Sequence, residues 1–179
     1  MFLQHCRRQH FNFIETLFTP YYITTDKYDD IFDYLKQNNE KMAHYDEPAA
    51  LECLCGAIYR NINDAIISDQ PINPEYNGKM FATALRLYDL ANKYTHNYKY
   101  NDCLKSDRAE LIIQIKRNEL SFNDIILLRQ DLLNNFSKIN NNYYSTHKIE
   151  CNKQTEIIIN DIQKTFMERI MKGFFVKDE

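Results

Sequence analysis

Glycine, proline and tryptophan are scarce: the 179-residue chain holds 3 Gly, 4 Pro and no Trp. A many-stranded sandwich or barrel needs a turn signal every ~8–12 residues, which this composition does not supply. Long helices joined by few turns need far fewer. No stretch approaches the ~18 continuous apolar residues of a membrane span, so no membrane partner is expected. The start, MFLQHCRRQHF, lacks the apolar core of a signal peptide, which gives an expectation of a cytoplasmic protein. An excess of positive charge is missing too. The formal net charge is −3, which argues against a broad basic footprint for nucleic acid and leaves room for a local basic groove. The five cysteines are odd in number and irregularly spaced. Cys53 and Cys55 are two apart, no C-x-x-C pair occurs, and no zinc spacing is present. They read as reduced thiols in a cytosol-like compartment.

The signatures of common enzymes are also lacking. The chain has no phosphate-cradling G-x-x-x-x-G-K-[ST], no G-x-G-x-x-G, no H-E-x-x-H and no G-x-S-x-G. No D-x-D pair on an expected strand offers a two-metal platform. The acids Asp29 and Asp30 fall at the start of an expected helix, where negative charge is favoured by the dipole. The five histidines are scattered. His44, Tyr45 and Asp46 form the one local polar cluster, read as the start of a helix in preference to an acid–base pair. No catalytic residue and no metal ligand is assigned.

What is present is helical rhythm. Leu51, Leu54, Cys55, Ile58, Tyr59, Ile62 and Ile66 recur at helical spacing after Asp46, with Glu47 and Pro48 in the first turn. "SDQPINP" follows as a turn or extended link. A second helix starts at Asn77 or Gly78, with Phe81, Ala84, Leu85, Tyr88 and Ala91 inward. It runs down into the tyrosine-rich "KYTHNYKY". "RAELIIQIKRNEL" reads as helix, with an Ile-rich centre open to strand. "SFNDIILLRQDLLNNFSKI" starts with Ser121 and Asp124 as a capping-box variant. Its inward side is Phe122, Ile125, Ile126, Leu132, Leu133 and Phe136. "NNNYYSTHK" reads as a loop. A last helix covers about Ile149 to Met171, with Ile158, Ile159, Ile162, Phe166 and Ile170 inward and Gly173 as its stop. Near the N-terminus, "FNFIETLF" is helix or strand, and "TTDKYDDIFDYLKQ" is a short helix capped by Thr25 or Asp26.

The expected fold is mostly α: an irregular bundle of about six helices, with room for one short strand or hairpin near the N-terminus. The expected organisation is a single helical domain over residues 1–179. Within it, 1–45 is a connecting segment with short helices, 46–139 a helical core, and 148–172 the C-terminal helix.

One helix face invites a functional reading. In "YNGKMFATALRLYDL", Lys79, Thr83 and Arg86 lie within about 60° of arc, and Lys93 extends the stripe. Lys79 and Arg86 are roughly 10 Å apart along the axis, a span suited to two contacts on one extended anion. Arg brings a planar fork and Lys a point charge. The plainer alternative is a solvated amphipathic face.

The same residues carry a resemblance. "YNGKMFATALRLYDL" followed by "YNDCLKSDRAELIIQIKRNELSFNDI" resembles the C-terminal helical region of predicted nucleotidyltransferases of the polymerase-beta superfamily, found in bacteria and phages. Their text runs Y-[DN]-x-K-x-x-x-H-x-x-R-L-L and then L-x-x-I-[KR]-x-G-x-[YW]-S. "FNFIETLFTPYYI" and "NNEKMAHYDEPAALECLCGAIYRNI" resemble two upstream segments, and the order holds from about Phe11 to Leu133. Three departures stand out. Thr83 takes the motif histidine's place, Asn118 takes that of the glycine, and the Gly-Asn-Pro before Asn12 is missing. The catalytic half, with its G-S and D-x-D motifs, has no counterpart.

The resemblance implies a helical accessory or remnant module that holds substrate. Lys79 and Arg86, with Thr83 between them, would contact a phosphate or other anion, and Arg60 and Lys116 are secondary candidates. Implied ligands are a nucleotide or RNA. An implied partner is a separate catalytic chain, and Mg2+ enters only with that partner; this chain has no cofactor of its own. A second class of function is a stand-alone protein–protein interaction or inhibitor protein, phage or host, with the tyrosine-rich loop "KYTHNYKY" as its best feature. A third is an enzyme built on His44 and Asp46.

Overall fold

The computed structural model describes residues 2–21, 29–68, 75–146 and 153–175. Among the described residues the protein is mostly helical, with one short antiparallel hairpin. It falls into two compact units: Met1–Ala50 with Glu150–Glu179, and Leu51–Ile149.

The first unit is built from short helices and one long one. They are α1 (Phe2–Arg7), α2 (Phe11–Thr16), α3 (Asp29–Gln37), α4 (Asn39–Ala43) and, near the C-terminus, α10 (Lys153–Phe175), with the first turn of α5 (Glu47–Asp64). Residues 11–16, open to helix or strand in the sequence, are helical. The caps Thr25 and Asp26 expected for α3 lie outside the described residues. Leu17, Leu35, Met42, Tyr45, Ile158, Ile159 and Ile162 form this unit's buried cluster, flanked by Phe13, Phe18 and Ile31. α10 therefore buries the first half of its expected stripe, while Phe166 stays exposed. Nor does Gly173 stop α10, which continues to Phe175. A glycine near the end of a helix lowers helix propensity by about 1 kcal/mol without forcing a turn.

Polar bonds join chain segments far apart in sequence within this unit. Gln9, buried and with φ 49°, donates its Nε2 to the carbonyl of Met42 at 2.9 Å. Thr155, also buried, donates to the carbonyl of Lys41 at 3.1 Å. The Tyr45 phenol donates to one oxygen of Glu156, and Arg7 donates to the other at 3.1 Å. Tyr45 and Arg7, in that order, hold the Glu156 carboxyl below its usual range. Arg169 grips Asp30 with both terminal guanidinium nitrogens and holds that carboxyl low as well.

The second unit holds most of α5, then β1 (Ile66–Ser68), β2 (Glu75–Tyr76), α6 (Gly78–Tyr94), α7 (Tyr100–Cys103), α8 (Ala109–Lys116) and α9 (Phe122–Thr146). Asp46 caps α5 as expected, accepting from the Ala49 amide at 3.0 Å. Leu51, Leu54, Cys55, Ile58 and Ile62 are buried, but Tyr59 is 57% exposed. Ile66 leaves the helix for β1, which pairs with β2 across the proline-bearing link. The middle of that link, residues 69–74, lies outside the described residues. α6 packs against α7, α8 and α9 and buries residues on most of its circumference. α8 is helix throughout, despite its isoleucines. α9 starts as expected, with Ser121 accepting from the Asp124 amide at 3.2 Å and donating back to its carboxylate at 2.6 Å. It runs on to Thr146, through the asparagines expected as a loop. Asn costs only a few tenths of a kcal/mol in a helix, and no Gly or Pro is there to end it.

Two glycines bear opposite constraints. At Gly78 a Cβ would stand 2.0 Å from the carbonyl oxygen of Ile115 and 2.2 Å from Asn118 Oδ1, whereas at Gly56 it would meet nothing within 4 Å. Gly78→Ala is expected to destabilise the protein by about 2–4 kcal/mol, and Gly56→Ala to stabilise it by about 0.5–1 kcal/mol; urea melts of the two variants check the sign of each. A second expectation concerns acid. A carboxylate held below its unfolded pKa adds stability that is present above the unfolded value and is lost as pH falls through the folded one. Glu156→Gln should therefore narrow the difference between thermal midpoints taken at neutral pH and at pH near 3, relative to the parent chain.

Candidate functional site

α6 begins under tight control. Asn77, just before it, accepts from the Met80 amide at 3.2 Å, a regular N-cap. The Gly78 amide donates to Asn118 Oδ1 at 3.0 Å. Asn118 follows the end of α8 in the left-handed region, with φ 56°, a conformation that Asn tolerates better than most residues. The Tyr76 phenol donates to the carbonyl of Leu120 at 2.9 Å, and burial pushes that phenol's pKa up. The start of α6 is thus seated on the turn that ends α8, and two of its first orphan amides, those of Gly78 and Met80, are satisfied by side chains of the protein itself.

From that start the outward strip of α6 runs through Lys79, Thr83, Arg86, Asp89 and Lys93. Lys79 is exposed; Thr83 and Arg86 are half-buried. The Thr83 hydroxyl donates to the carbonyl of Lys79 at 2.8 Å, so its proton is committed within the helix. Arg86 has interactions of its own within the protein. Lys93 does not extend an open stripe. Its ammonium donates to the carbonyl of Lys105 at 2.6 Å and to Asp107 at 2.8 Å, with the side chain only 15% exposed, and Asp107 pushes its pKa up.

Beside Lys93 lies a polar cluster that the sequence reading passed over. Asp89, its side chain 11% exposed, accepts from Arg108 through Nε at 3.0 Å and through Nη2, and from the Ser106 hydroxyl. Ser106 in turn accepts from the Arg108 amide at 3.1 Å. The Arg108 guanidinium sits 5.3 Å from the centre of the Tyr88 ring. The run "KSDR" at 105–108 was the available signal: a short hydroxyl residue beside acid and base, just before a helix, marks a local bonding loop. The far half of the strip is therefore a clasp on residues 105–108, and the near half, Lys79 with Arg86, is the candidate anion site.

The remaining candidates are spread out. Lys116 is exposed in the last turn of α8, adjacent to Ile115, so its backbone adjoins the start of α6. Arg60 is exposed on α5, a separate element. His44 lies against two glutamates. Its Nδ1 lies 2.8 Å from Glu47 and its Nε2 3.8 Å from Glu40, while Asp46 is occupied as the cap of α5. Of the three tyrosines in "KYTHNYKY", Tyr94 and Tyr100 are buried edge to face and Tyr98 alone is exposed. Among the described residues no group of three or more His, Cys, Asp or Glu side chains could hold a metal ion. No described helix is long and apolar enough to cross a membrane.

Comparison with protein-family models, with curated proteins and with solved structures finds no match to this chain.

The clasp makes its own prediction. Arg108→Ala leaves Asp89 short of two charge-assisted bonds in a site largely closed to water, at an expected cost of about 1–3 kcal/mol. Lys105→Ala, which removes only a surface pair with Asp102, should cost under about 0.5 kcal/mol. Chemical denaturation of the two variants distinguishes them.

Proposed function

We propose that the chain is a non-catalytic helical module that binds the phosphates of a nucleotide or of RNA through Lys79 and Arg86, working with a separate catalytic chain. The observation that supports this most is the placing of the two cations. They lie on the outward strip of a helix anchored by nine buried residues, roughly two turns apart. A helix held that firmly fixes their spacing before any ligand arrives, which lowers the ordering cost of binding. Arg86 is engaged within the protein, yet a guanidinium carries five donors and can serve a neighbour and an anion together. Asn77 and Asn118 occupy the Met80 and Gly78 amides at the helix start, so the reading rests on the two side chains.

The resemblance to the substrate-holding half of polymerase-beta-like nucleotidyltransferases points the same way. The Lys and Arg of its motif fall on Lys79 and Arg86. Its glycine falls on Asn118, at a left-handed backbone position where Gly and Asn both fit. Its histidine falls on Thr83, whose proton is already used, so imidazole chemistry has no equivalent here. Carboxylates for Mg2+ would come from the partner chain.

Binding of a labelled nucleoside triphosphate and of a short labelled single-stranded RNA, each at low salt, tests the proposal. Lys79→Ala and Arg86→Ala should each weaken binding of one probe about tenfold, Lys79→Ala with an unchanged thermal midpoint and Arg86→Ala, which also loses its contacts within the protein, with a lowered one. Lys138→Ala, on α9, should leave it unchanged. Absence of binding by the parent chain to either probe at low salt overturns the reading.

A further inference from the structure

The segment that seats α6 pairs two residues with a known chemical weakness. In a flexible chain an Asn–Gly sequence deamidates readily, because glycine lets its own amide nitrogen reach the asparagine side chain. That nitrogen attacks Cγ, a C–N bond forms, and the Cγ–Nδ2 bond breaks. Ammonia leaves, taking up the proton from the attacking amide. Water then opens the succinimide at either carbonyl, giving aspartate or isoaspartate.

Both members of the pair are demanded by the fold. Position 77 needs a side-chain acceptor for the Met80 amide, and position 78 has no room for a Cβ. The fold also blocks the reaction. Closing the ring requires Cβ of Asn77 to lie nearly eclipsed with the Gly78 nitrogen, which for an L-residue means ψ of about −120°. Asn77 has ψ 95°, so its Cβ points almost the opposite way. Its backbone is pinned there by its amide on the carbonyl of Ala65 at 2.6 Å and by its own carbonyl on the Phe81 amide at 3.1 Å. The attacking amide is itself held by Asn118 Oδ1 at 3.0 Å.

We propose that Asn77–Gly78 is a latent deamidation site, silent while α6 is seated on the end of α8 and released when that contact opens. This is independent of any ligand on the α6 strip. The two products differ in consequence. Aspartate keeps an oxygen acceptor at the cap and adds favourable charge at a helix start. Isoaspartate lengthens the backbone by one carbon just where Gly78 meets the Ile115 carbonyl, so α6 cannot reseat.

The test is a timed incubation of the intact chain at neutral pH, followed by peptide mapping with separation of aspartate and isoaspartate forms at position 77. The folded chain should convert about tenfold or more slowly than the same chain unfolded in urea. Asn118→Ala, which removes the acceptor of the Gly78 amide, should speed conversion in the absence of urea. Asn118→Asp, which keeps an oxygen acceptor there, should retain the protection even if Asn118→Ala proves unfolded. Equal rates in folded and unfolded chains overturn the proposal. So does a lack of conversion in urea, or an Asn118→Asp variant that is folded yet converts as fast as the chain in urea.

Discussion

The carbonyl oxygen of Ile115 fills the space that any side chain at position 78 would need. That close approach sets the distance between the start of α6 and the end of α8, and much of the second unit is laid out from it. It puts the Gly78 amide in reach of Asn118 and brings Tyr76 to the carbonyl of Leu120. Fifteen residues further on, the far end of the same helix is clasped by residues 105–108, through Lys93 and Asp89. α6 is thus gripped at both ends by the chain that flanks α8, and between the grips its outward strip presents Lys79 and Arg86.

The first unit is held in another way. Its helices are short, and a six-residue helix has little stability of its own in water. Its order rests on a buried cluster and on bonds between segments remote in sequence: Gln9 to Met42, Thr155 to Lys41, and Tyr45 and Arg7 to Glu156. Two of these use a backbone carbonyl, which no substitution at the accepting residue removes. The third uses a carboxylate and is open to titration.

Much of the helical content was legible because its causes are local. Asp46 and Ser121 are caps that act within three residues, and the stripes of α5, α6 and α10 follow the helical period. What could not be read depends on partners distant in sequence. Lys93 looks like one more cation on a stripe until Asp107 and the carbonyl of Lys105 are brought against it. Tyr94 and Tyr100 look like a surface cluster until they meet edge to face inside. Tyr59 has the period of a core residue and an exposed ring. The asparagines after Ile139 read as a loop by composition, although nothing in them breaks a helix. The cation pair at Lys79 and Arg86 was legible as spacing; that Thr83 spends its proton on the helix, and that Asn118 closes the helix start, was not.

One consequence lies in α5. Cys53 and Cys55 are close in sequence, but on a helix residues two apart are turned by about 200° from each other. Cys55 points inward, and burial pushes its thiol up to about 11, so at neutral pH it stays protonated and unreactive. Cys53 lies on a different side, half-buried. The pair cannot close on itself as a disulfide while α5 stands, so an oxidant meets two unequal sulfurs: one shielded and slow, the other the first to be alkylated or oxidised.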